Sequence, residues 1–77
     1  MSRVFVDENL MTWEAYSSGG RFGLPQQPKI VFNCLSDPQV RARFVVHDGT
    51  EVDAEEAVHD VPEERLKEML RDSRELD

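Results

Sequence analysis

The 77-residue sequence predicts one small α+β domain: a three- or four-stranded antiparallel β-meander with a C-terminal helical segment packed on one face. Three observations predict it. Residues 1–47 hold short runs rich in β-branched and aromatic side chains, separated by turn residues. Residues 53–76 hold apolar side chains at helical spacing among charged ones. A chain this short supplies a single domain at most.

The elements follow in order. Val4-Phe5-Val6 is a short β-type run, and Asp7-Glu8-Asn9 is a turn cluster. Leu10 to Tyr16 is a second run, with Trp13 and Ala15 on one face and Thr12, Glu14 and Tyr16 on the other. The two runs form either a hairpin or one strand bent near Asn9. Residues 17–28 hold three of the four glycines and two of the four prolines, which marks a long loop. Lys29 to Leu35 is β-rich, and Asp37-Pro38 suits the first two positions of a type I turn. Arg41 to His47 alternates. This pattern predicts Ala42, Phe44 and Val46 against the core, and Arg41, Arg43, Val45 and His47 toward water.

Asp53 with Glu56 reads as a capping box opening a short helix. Pro62 disfavours its continuation, so a second helix restarts there, capped by Asp60 and Glu63, and runs to Leu76. One helix kinked at Pro62 is the alternative. Leu66, Met69, Leu70 and Leu76 give one apolar stripe, in phase with Ala54 and Val58. The stripe is too short to stand alone and is expected to cover the sheet face carrying Trp13, Phe44 and Val46, or to pack on another chain.

Composition narrows the class. Residues 1–47 carry five basic and four acidic side chains; residues 48–77 carry four basic and twelve acidic ones, for a net charge of −7. Such a field does not attract phosphate backbones, which argues against general nucleic-acid binding. No signal peptide is expected from Met1-Ser2-Arg3 and the three apolar residues that follow, and no apolar run approaches the roughly 18 residues of a membrane span. A cytoplasmic protein without membrane contact is expected. Cys34 is the only cysteine, and its apolar surroundings predict a small buried thiol.

Four features bear on chemistry. Val4-Phe5-Val6-Asp7-Glu8-Asn9-Leu10 resembles the opening of PIN-like nuclease domains, where a strand ends in an acidic pair that binds a divalent metal. The resemblance implies Asp7 and Glu8 as metal ligands of a small nuclease-like enzyme. It covers seven residues. Those domains follow the strand with a helix, whereas the next residues here read as extended, and a plain turn is the preferred reading. Gly19-Gly20-Arg21-Phe22-Gly23 lacks the helix start that a phosphate loop needs, but Arg21 and Phe22 suit a partner-anchoring loop. His47, His59 and Cys34 do not make the paired Cys/His spacing of a structural zinc site, so no metal or cofactor is expected. Arg41, Arg43 and His47 on one strand face form a candidate surface for an acidic partner.

These readings favour a non-catalytic protein-interaction or regulatory module whose partner is another protein or a second copy of itself. The candidate contacts are Arg21, Phe22, Arg41, Arg43 and His47. The alternatives are the nuclease-like enzyme and an acidic mimic of nucleic acid.

Overall fold

The computed structural model describes residues 2–18, 28–47 and 51–75. Strands β1 (Arg3–Val6), β2 (Thr12–Ser18), β3 (Lys29–Cys34) and β4 (Arg43–Val46) precede helices α1 (Glu51–Asp60) and α2 (Glu63–Asp72), and a two-residue strand β5 (Arg74–Glu75) follows. The five strands form one antiparallel sheet in the order β1-β2-β3-β4-β5. Fold class and meander are as expected, with β5 as the added strand.

Residues 3–18 form a hairpin, with Phe5 opposite Trp13 and Val6 opposite Thr12. Between β3 and β4 the Asp37 side chain accepts the Gln39 N–H at 2.9 Å and its carbonyl accepts the Val40 N–H at 3.1 Å, as the Asp-Pro turn predicts. Both helices pack on one face of the sheet. Ala54, Val58, Leu66 and Leu70 meet Phe5, Trp13, Ala15, Ile30, Phe32 and Cys34 in a single buried core. Phe5 and Phe32 contact edge to face at 6.0 Å, an arrangement that places a ring edge on a π-face. The Cys34 thiol is buried there.

Three local expectations are corrected. Helix α1 begins at Glu51, so Asp53 lies inside its first turn and not ahead of it. Helix α2 has extended Pro62 at its N-cap, with no side chain capping it, so Asp60 does not serve that role. The chain leaves the helix at Asp72, and residues 74–75 extend the sheet where the periodicity continued the helix. The Ser73 hydroxyl donates to the Leu70 carbonyl and its backbone is extended, which ends the helix.

The orientation of β4 is inverted relative to the sequence reading. Register pairs Ile30 with Val45 and Phe32 with Arg43, so Val45 and Arg43 face the helices while Phe44 and Val46 face away. Both faces of β4 carry apolar residues, and the count of three against one misassigned them. Arg43 is tolerated beneath the helices because it has specific acceptors. Its Nε donates to the Ser73 hydroxyl at 2.8 Å, and a terminal nitrogen donates to the Ser73 carbonyl. Arg3 does the same for α1, where one terminal nitrogen reaches the carbonyls of Val58, His59 and Val61. Each helix therefore ends on a strand-borne guanidinium. The cation satisfies carbonyls that lack intrahelical partners and opposes the negative end of the helix dipole.

Candidate functional site

Among the described residues, no helix or strand stacks on the other side of the sheet. Period two sends every second residue there, and the register aligns those residues into rows across the strands. One row is Tyr16, Val31, Phe44 and Arg74; beside it lie Val4, Glu14 and Asn33 on one side and Ser18, Lys29 and Val46 on the other. Val31 is only 4% exposed between Tyr16 and Phe44. Val4 and Val46 stand 56% and 51% exposed toward opposite edges. The Lys29 ammonium lies 5.2 Å from the centre of the Phe44 ring, and Glu14 accepts the Ser2 hydroxyl at 2.8 Å. The face thus has an apolar centre with Arg74 at the end of its row, the Glu14 carboxylate on one side and the Lys29 ammonium on the other.

The Asp7-Glu8 pair lies in the β1–β2 turn. One Asp7 oxygen accepts the N–H groups of Asn9 at 2.8 Å and Met11 at 2.9 Å; the other accepts the Trp13 indole N–H at 2.8 Å. Desolvation raises the Asp7 pKa, but these donors and the Lys67 charge outweigh it and hold the carboxyl below its ordinary value. Glu8 accepts from Arg71 at 2.7 Å and ties the turn to α2. A cleft of about 70 Å³ lies between them, lined by Asp7, Glu8, Asn9, Lys67, Leu70 and Arg71. Among the described residues, no three His, Cys, Asp or Glu side chains cluster as metal ligands. Strand β1 is followed by β2 and not by the helix that the PIN-like resemblance implies.

Leu10 closes this turn with φ of 64° and its side chain 82% exposed. A left-handed leucine is strained by its Cβ, which glycine lacks. Leu10→Gly is expected to leave the protein as stable or up to about 1 kcal/mol more stable, read by urea unfolding. A loss of more than that would show that the Leu10 side chain supports the fold.

The sequence-selected contacts do not converge. Arg21 and Phe22 lie outside the described residues. Arg41 is exposed ahead of β4, and His47 is half-buried just past its other end, where its N–H donates to the Pro28 carbonyl at 2.9 Å. His47 borders a groove of about 300 Å³ with Val45, Met69 and Asp72. Arg43 is engaged under α2 and is removed from the exposed set. Val4, Tyr16 and Val46 on the sheet face opposite the helices were not selected from sequence, although the alternation in β2 already placed Glu14 and Tyr16 opposite Trp13. Comparison with protein-family models, with curated proteins and with solved structures gives no match to this chain.

Proposed function

We propose that the chain is a non-catalytic protein-interaction module of the cytoplasm that binds through the sheet face opposite its helices. The observation that carries this is the layering of the described residues: both helices cover one face, while the other carries half-buried Tyr16 and Phe44 with exposed Val4 and Val46. An antiparallel sheet with an open face usually fills it with polar residues, and an apolar centre with charged margins is the pattern of a binding surface. The engagement of Asp7 by three donors favours this reading over metal-dependent hydrolysis, because both of its oxygens already serve the turn.

The double change Val4→Glu, Val46→Glu is expected to cost within about 1 kcal/mol, since both side chains are exposed. The same change should remove the complexes that the wild-type chain retains from native cytoplasm. Equal retention by both chains would refute the face as the binding surface. Saturating Mg²⁺ or Mn²⁺ should leave the melting temperature unchanged, whereas a rise of several degrees would return Asp7 and Glu8 to a metal-binding role.

A further inference from the structure

We infer that the sheet face opposite the helices packs against the same face of a second copy, with Glu14 of each chain against Lys29 of the other. This rests on the binding-face reading and names its occupant. Charge placement comes first. Glu14 lies on β2 one row below Tyr16, and Lys29 lies on β3 one row above Val31, where Tyr16 and Val31 are register partners. A two-fold axis in the interface plane, passing between Tyr16 and Val31, exchanges these two positions between copies. A contact built from one patch on both chains must be self-complementary, and a face with an acid and a base on opposite sides of its apolar centre meets that condition.

Geometry agrees. With strands about 4.8 Å apart and same-face residues about 6.8 Å apart along each strand, this axis sets the two sheets roughly 40° from antiparallel. Aligned sheet packing prefers about 30°. The same operation brings Val46 of one copy toward Leu35 of the other; both are exposed in the single chain.

The wider field also permits it. Glu55, Glu56, Asp60, Glu64, Glu68 and Asp72 are exposed residues of the two helices, on the far layer. Face-to-face packing puts both acidic layers outermost, separated by two sheets about 10 Å apart and by the helical layers themselves. That exceeds the Debye length of about 8 Å at physiological salt, so a net −7 per chain does not prevent association. The face measures roughly 20 Å by 20 Å from strand and row spacing. Its footprint of about 400 Å² per copy falls below the roughly 800 Å² of stable complexes, so the dimer is weak and concentration-dependent.

Sedimentation equilibrium up to millimolar concentration tests this. The wild-type chain should show a reversible monomer–dimer equilibrium. Glu14→Lys alone and Lys29→Glu alone should each weaken it at least tenfold, because each places like charges at both contacts. An equimolar mixture of the two variants should recover the wild-type association, since both contacts are then opposite in sign. Circular dichroism melts confirm that each variant is folded. Carbodiimide coupling of isotopically mixed wild-type chains gives a second readout, expected as an interchain Glu14–Lys29 link. A wild-type chain that stays monomeric throughout, or a mixture that does not recover, overturns the pairing. If the chain is monomeric while Val4→Glu, Val46→Glu still abolishes a complex with another protein, self-packing fails and the binding face stands.

Discussion

Replacing Asp7 with alanine is expected to destabilise the protein by about 2–4 kcal/mol, lowering the melting temperature by about 10 °C or more at neutral pH. The carboxylate receives the N–H groups of Asn9 and Met11 and the Trp13 indole, so its removal orphans three donors at once. Trp13 is a buried core residue whose indole N–H has no other acceptor among the described hydrogen bonds. A chain this short has roughly 4–11 kcal/mol of total stability, so the loss is a large fraction of it. Asp7→Asn should rescue only part, because one of its two acceptor positions becomes a donor.

The pH dependence has a definite sign. The folded carboxyl titrates below the ordinary 3.8. A carboxylate with a depressed folded pKa contributes stability fully above the unfolded value and loses it as pH falls through the folded value. The gap between wild type and Asp7→Asn should therefore be constant from neutral pH to about pH 5 and narrow below 3.8. Denaturant unfolding across that range measures it. A gap that does not change down to about pH 2 would show that the charge contributes nothing, and a melting temperature unmoved by Asp7→Ala would remove the turn's structural role.

The second large effect is expected at Arg43. Arg43→Ala should cost about 2–3 kcal/mol, since it removes charge-assisted bonds to the Ser73 hydroxyl and carbonyl beneath the end of α2. Arg41→Ala, two residues away and exposed, should cost within about 0.5 kcal/mol. Arg43→Lys should not restore stability, because one ammonium cannot serve both acceptors with the geometry of the guanidinium fork. Equal effects at the two arginines in thermal melts would mean that Arg43 is solvated and that β4 turns its other face to the helices.

These two residues also show how far the sequence was legible. Alternation in β2 placed Trp13 and Ala15 correctly, because its polar residues fall cleanly on the other face. Pro62 separated the two helices through its own backbone chemistry, and Leu66 and Leu70 marked their buried stripe. These are local signals. The orientation of β4 was not local: it depended on which face the helices would choose, and arginine normally signals water. Nothing in residues 41–47 reports that a helix will end above Arg43. Strand β5 was hidden for the same reason. Arg74-Glu75 extends a helical charge pattern, and only pairing with Arg43 and Phe44 makes it a strand. The candidate binding face was half visible, since Glu14 and Tyr16 were placed on it while Phe44 and Val46 were assigned to the core.

The Arg3 and Arg43 contacts carry a consequence for how the chain reaches this structure. Arg3 is bonded to carbonyls 55–58 residues downstream, and Arg43 to Ser73, 30 residues downstream. The β1–β2 and β3–β4 hairpins close over short spans and can form early, but both arginines wait for helices made later. During synthesis the growing sheet therefore exposes Phe5, Trp13 and Phe32 until the helices that cover them emerge. In that interval it carries two uncompensated guanidinium groups among those apolar side chains. A positive charge on each side of an unfinished apolar surface discourages premature pairing of nascent chains, in the manner of gatekeeper residues flanking an aggregation-prone strand. The same guanidinium groups then become fixtures of the native fold when the helices arrive.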